Sequence, residues 1–166
     1  MKRIFLIIAL LSTTIIFAAA QQAKINTAYN NTLKAYFELK NALAKDQVDL
    51  AGQGAKNLVA SIKAFPVAAL AAGQQTAWKM QTAEIMKYAE PIISAKDLKL
   101  QRKSFEGLAS PVIKLARTFK YAQQPLYVQY CPMVKRSWLN DVEAIQNPFY
   151  GSKMYDCGEV TETLSK

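Results

Sequence analysis

The sequence predicts an all-α protein, an antiparallel four-helix bundle with a compact C-terminal cap of short strand, turn and short helix. Apolar residues recur at steps of three and four through four segments, and the connections between these segments are short. After about residue 123 this helical spacing stops. We therefore expect a signal peptide over residues 1–20, the bundle over 21–123, and a cap over 124–166 that packs on the bundle within the same domain.

The N-terminus has the three parts of a secretory signal peptide. Lys2 and Arg3 precede an apolar run over residues 4–17, and three alanines follow at residues 18–20. A positive region, an apolar core and a small-residue cleavage site in this order are typical of exported proteins. We therefore expect cleavage near residue 20 and a soluble, periplasmic protein without stable membrane insertion.

Two helices are predicted ahead of Pro66. The first covers about residues 26–44, where apolar side chains recur at helical spacing. The second begins after Asp46, whose short carboxylate side chain suits an N-cap. Because proline lacks the backbone N–H and fixes φ, Pro66 predicts a kink or the end of this helix.

Two further helices complete the predicted bundle. The third covers about residues 74–93 and has Pro91 near its end. Asp97 is the predicted N-cap of the fourth, in which Gly107 and Pro111 predict a bend. Each helix would be marginal alone, so we expect the four apolar seams to pack against one another.

The cap has a different pattern. Residues 126–130, LYVQY, alternate apolar and polar side chains as a short strand does. Residues 147–151, NPFYG, carry an Asn-Pro turn signal followed by a glycine. Between them, residues 137–145 are predicted to form a short helix, and the aromatic residues of this region predict an ordered structure.

Composition excludes several classes of function. The sequence contains no histidine, so a Ser-His or Cys-His nucleophile and a histidine zinc site are excluded within this chain. It has no Cys-x-x-Cys motif, no glycine-rich phosphate loop and no carboxylate pair suited to acid–base chemistry, so we do not expect an enzyme. The net charge of +9 comes mostly from dispersed lysines, whereas nucleic-acid binders concentrate basic residues on one face. Nucleic acid is therefore not an expected partner.

Four sulfur-bearing residues in the cap form the candidate site. Cys131 and Met133 lie in YCPM, and Met154 and Cys157 lie in MYDCG. Thiolate and thioether ligands favour Cu(I), and a turn between the two strings would bring the pairs together. The alternative is a Cys131–Cys157 disulfide, because exported proteins usually join their cysteines, with the methionines filling the core. The residues themselves leave both interpretations open.

The tail YCPM…SWL…IQNPFYG..M..CGE resembles the end of a bacterial envelope domain family of unknown function. Members of that family occur as short exported proteins and appended to the periplasmic adaptor subunits of copper/silver and other heavy-metal efflux pumps. The segments YFELKNALAKDQVDLAGQGAKNL and DLKLQRKSFEGLASPVIKL resemble its helical part, so the likeness covers nearly the whole mature chain.

The resemblance implies a helical bundle with a C-terminal cap and a link to periplasmic copper or related metals. Carried over by position, the ligands would be Cys131, Met133, Met154 and Cys157. YCPM is also similar to the start of a short heavy-metal-binding module that opens with Cys-Pro-Met-His. Val134 replaces that histidine here, so a site in this chain would consist of sulfur alone and zinc is disfavoured.

These observations predict a periplasmic protein that holds Cu(I) or Ag(I) by cysteine and methionine sulfur and buffers the ion or delivers it to an efflux adaptor. The second hypothesis is a non-catalytic structural or interaction domain of the envelope, in which a Cys131–Cys157 disulfide fixes the cap and the bundle contacts another envelope protein.

Overall fold

A computed structural model describes residues 2–165 of the chain, with side chains described for residues 19–165. Four helices are followed by three strands, so the four predicted helices are confirmed and the prediction of an all-α protein is wrong. In chain order the elements are α1 (Lys2–Ala44), α2 (Val48–Ala64), α3 (Ala72–Ser94), α4 (Leu98–Thr118), β1 (Leu126–Cys131), β2 (Arg136–Asn140) and β3 (Glu159–Leu164), with short 3-10 helices at Val67–Ala69 and Gly151–Met154.

The first helix is longer than the sequence predicted. It begins at Lys2 and therefore includes the segment interpreted as a signal peptide. The side chains of residues 1–18 lie outside the part of the chain that the structure describes. Leader cleavage stays a prediction. Within the described part of the chain, no helix combines the length and apolar character that a membrane crossing requires.

Two of the three predicted helix boundaries are confirmed. The carboxylate of Asp97 caps α4 by accepting a hydrogen bond of 2.9 Å from the backbone N–H of Leu100. Helix α2 ends at Ala64, just before Pro66. The N-cap of α2, however, is Gln47, which makes no side-chain capping bond, and Asp46 adopts a left-handed backbone with φ of 59°. Its carboxylate is bound instead by Arg102 of α4 and by Ser152 of the cap.

The helices pack mainly on their neighbours in the chain: α1 on α2, α2 on α3 and α3 on α4. The ring of Phe65 stacks on Trp78 with 3.7 Å between centroids, and both side chains are buried. Helix α4 is continuous through Gly107 and Pro111, the two residues predicted to bend it. The buried apolar side chains of the bundle and of β1 and β2 form one core, so the cap shares the core of the helices.

The three strands form an antiparallel sheet in the order β2-β1-β3. The predicted strand over 126–130 is confirmed as β1, but the helix predicted over 137–145 is wrong because its first part is β2. A tight turn at residues 132–135, with Lys135 at φ of 55°, reverses the chain and pairs Cys131 with Arg136. Trp138 and Leu139 are both fully buried. Because successive residues of a strand face opposite sides, these two side chains lie on opposite faces of the sheet, and both faces are covered at this point.

Candidate functional site

The two cysteines meet at the edge of the cap. Cys131 ends β1 and is fully buried, whereas Cys157 lies just before β3 and is half-buried. Their sulfur atoms are 3.4 Å apart, and both residues are free thiols. The prediction that the two sulfur-bearing strings become neighbours is therefore confirmed. The contact is longer than the roughly 2.05 Å of an S–S bond, so this conformation holds a thiol pair rather than a crosslink.

Cys131 precedes the tight turn between β1 and β2. The carbonyl of Cys131 accepts a hydrogen bond of 2.9 Å from the Lys135 N–H, which closes the β1–β2 turn. The backbone N–H groups of Met133 and Val134, which lie in this turn, help to lower the pKa of Cys131. Such donors stabilise a negative charge on sulfur and are retained when the sulfur binds a metal.

The two thiols of the pair have different affinities for a proton. Burial raises the pKa of Cys131, but the net shift is downward because its sulfur accepts hydrogen bonds from the Val134 backbone, the Cys157 thiol, the Met133 backbone and the Asn147 side chain. The pKa of Cys157 is raised, chiefly because its thiol donates a hydrogen bond to Cys131. Cys131 is therefore the thiol of the pair that loses its proton first.

Asn147 organises the loop that carries Cys157, and sequence reasoning did not single it out as a site residue. It is fully buried, and its side-chain Nδ2 donates a 2.8 Å hydrogen bond to the carbonyl of Cys157. Its Oδ1 accepts from the backbone N–H of Phe149 at 2.9 Å, and its own N–H donates to the carbonyl of Tyr155 at 2.7 Å. The Asn-Pro turn signal located this residue in a turn but not beside a thiol.

Gly158 lets the loop approach β1 closely. Its φ is 150°, and a Cβ atom there would lie 2.9 Å from the carbonyl oxygen of Tyr130 and 3.0 Å from the ring of Trp138. Any side chain at this position would therefore push the loop away from the sheet. The indole of Trp138 is fully buried beside the residue that follows Cys157, so it forms part of the wall near the thiols.

The two methionines have different surroundings. Met133 lies in the β1–β2 turn and is 62% exposed. Met154 is half-buried at the end of the 3-10 helix, and its carbonyl accepts a 3.2 Å hydrogen bond from the Cys157 N–H. Among the described side chains, no group of three or more Cys, Asp or Glu residues is arranged to hold a metal ion. A sulfur site here consists of the thiol pair, with the methionines adjacent to it along the chain.

An ion pair ties the sulfur loop to the helices. Arg102 of α4 binds the Asp46 carboxylate and donates to the carbonyls of Leu43 and Pro148 at 2.7 and 3.0 Å. The other oxygen of Asp46 accepts from the backbone N–H of Ser152 at 3.1 Å. The pKa of Asp46 is lowered, chiefly because its carboxylate accepts a hydrogen bond from the Ser152 hydroxyl. Burial opposes this shift, and the hydrogen bond and charge of Arg102 add to it.

Residues 32–124 match the model of a family described as a protein of unknown function, DUF3347. The chain belongs to this family. The DUF3347 match runs from within α1 through α4 and ends before β1, so Cys131, Met133, Met154 and Cys157 lie beyond it. No curated protein and no solved structure matches the chain significantly. The family match therefore concerns the helices, and the candidate site is supported only by the geometry described above.

Proposed function

We propose that this protein binds a soft monovalent metal ion, Cu(I) or Ag(I), at the Cys131–Cys157 thiol pair. The single observation that supports the proposal most is the 3.4 Å contact between the sulfur atoms of two free thiols, one fully buried and one half-buried. Thiolates are the ligands that Cu(I) selects, and a soft monovalent ion needs few of them. The absence of histidine from the sequence makes sulfur the only soft donor available.

The unequal burial of the two thiols suits uptake and release. Cys131 is buried in a turn closed by its own carbonyl, so it is the fixed ligand. Cys157 is half-buried on a loop, so it is the ligand that an incoming ion or an acceptor protein reaches first. An ion between the sulfurs needs them to move apart, and the more exposed Cys157 loop is the part that gives way. Met133 and Met154 are the candidate additional thioether ligands.

We infer that the protein acts in the periplasm, without catalysis, by buffering the ion or transferring it to an efflux adaptor. Support comes from the signal-peptide pattern at residues 1–20 and from the likeness of the tail to domains appended to metal-efflux adaptors. Without Lys2 and Arg3 of the predicted leader, 19 basic and 12 acidic residues leave a net charge of +7, which favours an acidic docking surface on that partner.

The test is a titration of the fully reduced protein with Cu(I) against a competing chelator, repeated with Ag(I). We expect one ion per chain, with affinity lost in the Cys131→Ser/Cys157→Ser double variant. The variants Met133→Leu and Met154→Leu keep the volume and remove only the thioether, so a weaker affinity in either one identifies that methionine as an additional ligand. Equal affinities for the wild type and the double cysteine variant would end the proposal.

The same 3.4 Å contact also favours a second function, a structural envelope domain closed by a Cys131–Cys157 disulfide. Oxidation would join the two sulfurs with loss of two electrons and two protons to a thiol oxidant of the compartment. In the chain-entropy model the closed loop would stabilise the fold by roughly 3–4 kcal/mol. Counting thiols on protein isolated without reductant separates the two functions: a blocked pair that resists mild reduction supports the crosslink, and two reactive thiols support metal binding.

A further inference from the structure

A lysine is buried between the helices and the cap. Lys40 lies on α1 and has no exposed surface. Its Nζ donates hydrogen bonds to the side-chain oxygens of Asn140, at 2.5 Å, and Gln146, at 2.7 Å. Both acceptors are neutral amides, so no hydrogen-bonded carboxylate compensates a charge on this amine. Burying an unpaired ammonium group is costly, which makes the environment of Lys40 unusual for a lysine.

The amide partners of Lys40 belong to a network that shapes the segment before Asn147. Asn140 donates from Nδ2 to the Gln129 side chain at 3.1 Å and to the carbonyl of Ala144 at 3.0 Å. Gln129, also fully buried, donates to three consecutive carbonyls of this segment, at residues 142–144. The network therefore fixes residues 140–146, which lead directly into Asn147.

Few charged groups act on Lys40. Burial lowers its pKa to about 7, the Asp141 carboxylate after β2 opposes that shift, and Lys45 at the end of α1 adds to it. One turn before Lys40, the hydroxyl of Tyr36 accepts a hydrogen bond of 3.1 Å from the backbone N–H of Leu139. Burial raises the pKa of Tyr36 further above its ordinary value, so this hydroxyl stays neutral. Lys40 is thus the group of this network that changes charge between neutral and mildly alkaline pH.

We propose that Lys40 is a positioning residue for the thiol pair. Its neutral amine holds residues 140–146 against α1, and this segment in turn holds Asn147, which bonds the carbonyl of Cys157. Protonation places a charge in the amide network, and hydration of that charge requires the segment to move away from α1. The sulfur of Cys157 can shift outward to admit an ion and still remain within reach of Cys131 only while Asn147 keeps the loop anchored, so metal affinity and the charge of Lys40 are linked. The inference rests on the proposed metal binding.

The first experiment compares the metal-free wild type with the Lys40→Met variant. Backbone amide hydrogen exchange of both proteins is measured at pH 9 and at pH 7. In the wild type, protection of residues 140–147 is expected to fall at least tenfold between pH 9 and pH 7, after correction for intrinsic exchange. In Lys40→Met, which carries no titratable amine, the change is expected to stay below about threefold. Equal pH dependence in the two proteins would overturn the role of Lys40.

The second experiment measures Cu(I) affinity of the same two proteins at both pH values. Thiol protonation weakens metal binding in both proteins at the lower pH. The informative quantity is therefore the ratio of the wild-type affinity to the variant affinity, which we expect to change about tenfold or more between pH 9 and pH 7. A constant ratio overturns the positioning role while metal binding stands. No binding by either protein at either pH overturns the proposed function, and hydrogen exchange then still decides whether Lys40 controls the segment. Lys40→Gln, which retains an amide donor, replaces Lys40→Met if the latter does not fold.

Discussion

Gly54 lies where α2 approaches the backbone of α1 most closely. A Cβ atom at this position would lie 2.6 Å from the backbone nitrogen of Leu39 and 2.7 Å from its Cα. Both atoms belong to the main chain of α1, so no side chain can rotate out of the way. We therefore expect Gly54→Ala to separate α1 from α2 and to loosen the packing of Leu39 and Leu58, which are fully buried.

The magnitude follows from two opposing terms. Replacing a mid-helix glycine by alanine favours the helix by about 1 kcal/mol, and overpacking a core contact costs about 1–3 kcal/mol. Because Gly54→Ala clashes with backbone atoms, we take the upper part of that cost, about 2–3 kcal/mol, so the free energy of unfolding should fall by about 1–2 kcal/mol. Gly52, on the same helix, is the matched control: its added Cβ would be 3.7 Å from the nearest atom, an ordinary contact. Gly52→Ala should therefore stabilise the protein by up to about 1 kcal/mol.

The assay is urea unfolding followed by far-UV circular dichroism, with thermal melts in parallel. The two variants should differ by about 1–3 kcal/mol, which corresponds to melting temperatures about 2–12 °C apart for a domain of this size. Gly54→Ala as stable as Gly52→Ala would show that the two helices do not approach as closely as the structure describes.

Three further predictions concern single residues. Asp97→Ala should lower the free energy of unfolding by about 1 kcal/mol through loss of the N-cap, and Asp97→Asn should restore most of it, as measured by urea unfolding. Gly151→Ala should destabilise the cap by at least about 1 kcal/mol, because Gly151 has φ of 61° and a Cβ there would overlap Arg102 and Asp46; wild-type stability of this variant would contradict the described loop. Lys40 has a pKa of about 7 when folded and 10.5 when unfolded, so the unfolded chain binds one more proton between these pH values and the free energy of unfolding rises with pH there. Lys40→Met should reduce that slope by up to about 1.4 kcal/mol per pH unit, and identical slopes in urea unfolding series from pH 7 to 10 would refute the shift.

The helices could be predicted from the sequence because their apolar spacing is sustained over several turns. The sheet was predicted only in part, since strands of five or six residues offer few periods to recognise. Residues 137–145 contain a helix-like pattern, but Trp138 and Leu139 are buried on opposite faces of a strand between α4 and the loop. Strand β3 alternates half-buried and exposed residues, a pattern that its glutamates and threonines hide in the sequence.

The candidate site was predicted in part, because cysteine and methionine can be recognised as sulfur ligands from the sequence alone. Cys131 and Cys157 were expected to meet, and the structure brings them together. Asn147 and Lys40 were not identified, because their roles depend on contacts between distant parts of the chain. Lys40 is one of many dispersed lysines in the sequence, and only the cap, a hundred residues later, makes it a buried one.

The distance along the chain between Lys40 and its partners has a consequence for biogenesis. Asn140 and Gln146 follow Lys40 by 100 and 106 positions, and the sulfur loop comes later still. Loops of this length close slowly, and the last-synthesised residues close them. The contacts of Lys40 with residues 140–146 can therefore form only after nearly the whole chain has been synthesised, so the segment that precedes the sulfur loop is among the last parts of the protein to be fixed.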